Sequence, residues 1–373
     1  GSPIFSNPTT TMNSNDQLPT LRAAAAAARA HAMNQLAKEL DRQGNYAEAL
    51  ATAEEACELA REAGELAAEA EALRLQGVVH AKRGNNAEAL VLSEGSLKIF
   101  EAMGDRSGVA RVTGNIGWLY LKRSEYEKAL EYHTRAIALH EKLGERSGIA
   151  IVTANIGVVY ESLSEYAKAL EHYTRALALH EELGNRSNVA TITGSIGNMY
   201  LNLSDYEKAL EYYTHSIALY EELGNRSGVA QFTGNIGIVY WRLSEYEKAL
   251  EYYTRALALH EELGERSGVA RVTGNIGAVY GSLLEYGRAL EYYTRALALH
   301  EELGERTGIA LATGNIGTVY GSLLEYEKAL EYFTRALALR EELGERSGVA
   351  LVIGNIGIVY RRLSDYEKAL EYY

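Results

Sequence analysis

Asparagine recurs at one position of a repeated segment: Asn115, Asn155, Asn235, Asn275, Asn315 and Asn355, with Ser195 as the exception. A carboxamide both donates and accepts, so a row of them can satisfy the backbone of an extended chain whatever its sequence. Glycine precedes most of them, at Gly114, Gly234, Gly274, Gly314 and Gly354, and removes bulk beside the amide. Around this row the residues change from copy to copy. Arg111, Trp118, Lys122, Asn198, Trp241, Arg242 and Arg271 offer aromatic anchors, a further amide and cations suited to carboxylates. Spacings of four, three and four put positions 111, 115, 118 and 122 on one helical face. That pattern points to recognition of a protein or peptide.

Catalysis finds little support. His140, His180, His260 and His300 occur once per repeat. With packed helices about 8–10 Å apart and two helices per repeat, successive copies are too distant to share a metal. The Gly-Asn-Ile-Gly segments follow no strand, which excludes a dinucleotide loop. Cys57 lies in an Ala/Glu-rich stretch and reads as packing, and no nucleophile stands with a base. The expectation is a protein that is no enzyme, with no metal and no cofactor. A net charge of −13 disfavours nucleic acid, which needs a basic surface. One cysteine excludes an internal disulfide framework, and no apolar run approaches a bilayer span. No membrane partner and a cytoplasmic location are therefore expected. All three prolines, Pro3, Pro8 and Pro19, fall within residues 1–20, which read as a disordered tag or linker.

The elements that position these residues follow from a 40-residue period: the segment Gly114–Gly117 returns at Gly234, Gly274, Gly314 and Gly354. Within residues 105–144, Val109, Val112, Ile116 and Tyr120 have helical spacing and define helix A, with Ser107 as the expected N-cap. Tyr126, Ala129, Leu130, His133, Ala136 and Ile137 define helix B, closed by Gly144. Gly117 is expected at a close helix contact. On the solvent face Glu131 precedes Arg135 by four residues, a spacing repeated as Glu171/Arg175, Glu251/Arg255, Glu291/Arg295 and Glu331/Arg335 and expected to pair within each helix.

Ile116, Gly117, Tyr120, Tyr126, Ala129, Leu130 and Ala136 resemble the tetratricopeptide repeat consensus, over roughly residues 21–373. The longer period, with Gly-Asn-Ile-Gly and Leu-Gly-Glu-Arg-Ser-Gly, is most similar to the LGN/Pins adaptors; kinesin light chain is a looser relative. Departures are Thr113 in place of a bulky aromatic, Ser124 in place of the turn glycine of Gly44 and Gly84, and the lack of a proline ending helix B. The resemblance implies an all-α, right-handed α-solenoid (superhelix) of antiparallel helix pairs, with about eight full repeats and a truncated ninth. It also places the variable helix A face along a concave groove. The expected function is a scaffold binding an extended or partly helical partner segment there. The alternative is a ligand-sensing regulatory module of a larger signalling protein. A ninth pair cut at Tyr373 would leave Ile356, Tyr360 and Ala369 unshielded, which predicts end-to-end self-association.

Overall fold

The computed structural model describes residues 14–373, with side chains described from Leu21 onward. Of the expected linker, residues 1–13 lie outside the described residues, whereas Ser14–Thr20 form the backbone start of the first helix. The described residues are helical throughout, without a strand, as the period predicts. A first compact unit, Gly1–Leu183, contains α1 (Ser14–Arg42), α2 (Tyr46–Ala63), α3 (Leu66–Lys82), α4 (Asn86–Met103), α5 (Arg106–Lys122), α6 (Tyr126–Leu143), α7 (Arg146–Ser162) and α8 (Tyr166–Glu182). The second unit, Gly184–Tyr373, contains α9 (Arg186–Asn202), α10 (Tyr206–Glu222), α11 (Arg226–Arg242), α12 (Tyr246–Leu263), α13 (Arg266–Ser282) and α14 (Tyr286–Leu303). It continues through α15 (Arg306–Ser322), α16 (Tyr326–Glu342), α17 (Arg346–Arg362) and α18 (Tyr366–Glu371). Each unit is an α-solenoid of antiparallel helix pairs, each helix packing chiefly on its neighbours in sequence.

Apolar spacing sets which faces meet. Val109, Val112 and Ile116 of α5 are buried, as are Ala129, His133 and Ala136 of α6. The glycine of helix A is demanded by the helix B partner. A Cβ at Gly117 would lie 2.7 Å from the His133 ring, and one at Gly237 would lie 2.7 Å from Tyr253. A second lock stacks a tyrosine near the end of helix A on helix B: Tyr240 on Tyr252 at 5.3 Å and Tyr280 on Tyr292 at 5.4 Å. Lys248 caps the Tyr240 ring at 5.0 Å. Such aromatic pairs add about 0.5–1.5 kcal/mol each beyond buried area.

Two local expectations are corrected. The N-cap of α5 is Asp105, whose carboxylate accepts from the Gly108 amide at 3.0 Å. Ser107 already lies in the first turn, and its hydroxyl donates to Glu145 at 2.6 Å. The arginines of helix B do not pair four residues back. Arg135 reaches Glu101 of the preceding helix B at 2.9 Å, and Arg295 reaches Glu261 at 3.0 Å. Neighbouring helices bring these carboxylates within reach of the long guanidinium arms. Exposed as they are, each pair contributes about 0–1 kcal/mol.

The turn inside each repeat uses a left-handed residue. Gly44 and Gly84 have φ near +80°, and Ser124, Leu284 and Leu324 keep the conformation at φ 58°, 61° and 64°. The side chain changed but the turn did not.

Candidate functional site

In the first unit Asn115, Trp118 and Lys122 of α5 lie together with Asn155 of α7 around a cavity of about 430 Å³, beside Gly77 and Ser93. The Lys122 ammonium sits 4.9 Å from the Trp118 ring centroid. The Asn115 amide nitrogen is buried and lacks a hydrogen-bond partner. Arg111 stands apart from this cavity. Its guanidinium lies 3.6 Å from Glu71 and over Phe100, so its charge already has a partner. Burial raises the Glu71 pKa, but Arg74 and Arg111 together outweigh it and hold the carboxyl below its usual range.

In the second unit a larger cavity, about 720 Å³, is lined by α11, α13 and α15, with Tyr253 of α12 and residues of α14 completing the lining. Trp241, Arg271, Asn275 and Asn315 all face it. The Trp241 indole N–H donates to the Ser282 hydroxyl at 3.0 Å, which fixes the ring across two repeats. Arg242 lies over the Trp241 ring at 5.3 Å, outside the cavity lining. Asn275 and Asn315 are half-buried and have no side-chain hydrogen bond among the described residues. Asn355 is likewise half-buried, on α17. Asn235 differs: its amide donates to Asn198 at 3.1 Å, and Asn198 also accepts from the Tyr213 hydroxyl at 2.7 Å. Two of the expected residues thus bond to each other across adjacent A helices.

The glycines beside the amides are not required by packing. A Cβ at Gly274 would meet Ala296 at 3.8 Å and one at Gly314 would meet Ala336 at 3.9 Å, ordinary contacts. Gly194 is the contrast, since a Cβ there would lie 2.1 Å from Phe232.

Three of the recurring histidines, His140, His260 and His300, tie the end of helix B to the N-cap of the next helix. His140 and His260 are buried, and their Nδ1 atoms lie 2.7 Å from Glu145 and Glu265; His300 is 2.6 Å from Glu305. An ionised carboxylate only accepts, so Nδ1 carries the proton. Glu145 is held below the usual carboxylate range by the Ser107 and His140 hydrogen bonds, and joins three helices. Among the described residues no cluster could hold a metal and no helix is long and apolar enough to cross a membrane. Cys57 is buried, and burial pushes its thiol up.

Sequence reasoning missed Tyr253 and Tyr293, which line the larger cavity from helix B. Aromatic residues on a constant apolar stripe look like core, and they are 2% and 6% exposed. The usable signal was across the cavity wall, where bulky or polar side chains at other repeats give way to Ala278 and Gly281.

Models of the tetratricopeptide repeat match residues 68–142, 148–222, 228–302 and 308–373, and another matches residues 29–63. No curated protein matches the chain by sequence. Among solved structures the chain is similar to a Rap protein complexed with competence and sporulation factor. There the identity is 16%, with 88% of this chain and 99% of that chain covered and a TM-score of 0.62. It is similar to the apo form of the quorum sensor NprR from B. thuringiensis, at 16% identity, 90% and 97% coverage and TM-score 0.61. It is also similar to the Rap conjugation gene regulator of plasmid pLS20 in complex with the Phr* peptide, at 13% identity, 93% coverage of both chains and TM-score 0.58. At these identities the likeness is one of fold.

Proposed function

Because this chain belongs to the tetratricopeptide repeat family, we propose that it is a protein-interaction scaffold whose helix A face holds an extended or partly helical segment of a partner. The observation that carries this reading is the pair Asn275 and Asn315. Both amides face a 720 Å³ cavity without a hydrogen bond of their own, beside glycines that packing does not require. A half-buried amide without a protein partner is satisfied by water until a ligand backbone replaces it. Trp241 and Leu311 supply apolar surface and Arg271 a cation to the lining of the same cavity. The lengthened period and its similarity to the LGN/Pins adaptors support the same reading, as does the peptide in the complex of the pLS20 Rap regulator. Neither Asn235 nor Arg111 is a backbone clamp in this scheme, because each already has an internal partner.

A second reading, a ligand-sensing module acting on an effector domain, draws support from the likeness to a quorum sensor and to a STAND protein with a tetratricopeptide repeat sensor. The test of the leading reading replaces Asn275 and Asn315 together by alanine, with Asn235→Ala as a separate variant. Peptides captured from a random peptide library by the wild-type chain are expected to lose about tenfold or more in affinity with the double variant, at unchanged thermal stability. Unchanged affinity overturns the clamp.

A further inference from the structure

We propose that the cavity between α11, α13 and α15 is a carboxylate-binding pocket, in which the Arg271 guanidinium and the Tyr253 and Tyr293 hydroxyls are the donors on the lining for an anionic group of the bound segment. This rests on the reading of that cavity as the partner site and names the chemistry it takes.

The argument is a comparison inside one molecule. In the α7/α8 repeat the Tyr173 hydroxyl donates to the Glu161 carboxylate at 2.6 Å. In the α9/α10 repeat the Tyr213 hydroxyl donates to Asn198 at 2.7 Å. Each buried tyrosine of helix B is thus satisfied by an acceptor from its own helix A. In the next two repeats that acceptor is gone. The positions equivalent to Glu161 are Trp241 and Gly281, and those equivalent to Asn198 are Ile238 and Ala278. Tyr253 and Tyr293 keep the same buried seats, have no hydrogen bond among the described residues and border the cavity. The Tyr293 oxygen lies 4.0 Å from where a Cβ on Gly281 would be, so the space that a side chain would fill leads to it. The position that supplies an internal carboxylate in one repeat is an empty seat in another.

A cation completes the site. Arg271 has neither an ion pair nor a hydrogen bond among the described residues. Its Nη1 lies 3.7 Å from the would-be Cβ of Gly234, folded back against α11. Burial lowers its pKa, so the charge is partly stripped of water without compensation. Burial also raises both tyrosines, Tyr293 to about 12, which keeps their hydroxyls protonated as donors. Desolvated donors with one uncompensated positive charge select an acceptor that is negative. Phe333 occupies the equivalent seat in α16, so the hydroxyl is dispensable for packing there.

The test uses the full chain labelled with 5-fluorotryptophan, whose two tryptophan resonances are followed by ¹⁹F NMR and assigned with Trp241→Phe. Two probes are titrated: glutarate, and the blocked peptide acetyl-Ala-Leu-Glu-Leu-Ala-amide beside its glutamine counterpart. The expected result is a saturable shift of the Trp241 resonance alone. Arg271→Gln should weaken it about tenfold or more, and Tyr293→Phe about three- to tenfold. Gly281→Glu, which supplies an internal carboxylate to Tyr293, should abolish the response while the thermal midpoint is held or raised. A glutamate peptide binding at least tenfold better than glutarate assigns the carboxylate to a partner side chain, and equal binding assigns it to a free small carboxylate. If neither probe moves Trp241, or if Arg271→Gln and Gly281→Glu respond like wild type, the pocket is overturned. A glutarate response that survives Asn275→Ala/Asn315→Ala, with peptide affinity also unchanged, removes the asparagine clamp and leaves the pocket standing.

Discussion

His133 shows what one substitution in a strict repeat does. Tyrosine or phenylalanine fills its seat in the following repeats, yet His133 is fully buried and neither ring nitrogen has a partner. Burial alone drives its pKa from 6.5 to about 4. Because the folded value lies below the unfolded one, the stabilising term is fully present above about pH 6.5 and is lost as pH falls towards 4. At pH 5 the loss is about 2 kcal/mol. Urea denaturation of His133→Phe should show that part of the acid sensitivity of the first unit gone. The helix A glycines give a second residue-scale prediction, with opposite signs. Gly237→Ala, which drives a Cβ to 2.7 Å from Tyr253, should destabilise by about 2 kcal/mol. Gly274→Ala meets only ordinary contacts and should stabilise by up to about 1 kcal/mol while weakening partner binding. A loss of stability in Gly274→Ala would show that packing, not ligand access, keeps that glycine.

At the scale of the element, the turn between the two helices of a repeat carries conformational strain that the repeat tolerates. Leu284 and Leu324 are 69% and 68% exposed and hold positive φ. They gain little from burial, and a left-handed non-glycine residue costs about 1–2 kcal/mol. Leu284→Gly and Leu324→Gly should therefore each raise the thermal midpoint, by an amount set against the greater freedom of glycine in the unfolded chain. The helices themselves were legible, because Val109, Val112 and Ile116 repeat at helical spacing and Gly144 ends helix B at φ 68°. Ser107 misled as a cap for a simple reason. Asp105 and Ser107, two positions apart, can each cap, and of the two only Asp105 lies outside the helix.

At the scale of the whole molecule, stability is a sum of short-range interfaces, since each helix packs chiefly on its neighbours in sequence. Damage should stay local. Gly197→Ala, which would place a Cβ 2.7 Å from Tyr213, should reduce amide hydrogen-exchange protection in α9–α11 and leave α15 and α16 of the same unit unchanged. A uniform fall across the second unit would show cooperativity beyond nearest neighbours. The sequence by itself determined the architecture: a 40-residue period with glycine and small residues at fixed places leaves stacked helix pairs as the way to bury its apolar stripes. It also placed the asparagines and the variable residues on one helix face, because helical spacing is a local property. Which of those residues are free was decided only by tertiary structure. Asn235 and Asn275 occupy the same position in neighbouring repeats, yet one bonds to Asn198 and the other faces a cavity. Arg111 and Arg271 are likewise equivalent, yet one meets Glu71 and the other has no counterion among the described residues. Period and spacing specify where a side chain starts, while its partner is contributed by another helix about 40 residues away, and that pairing exists only once the repeats are stacked.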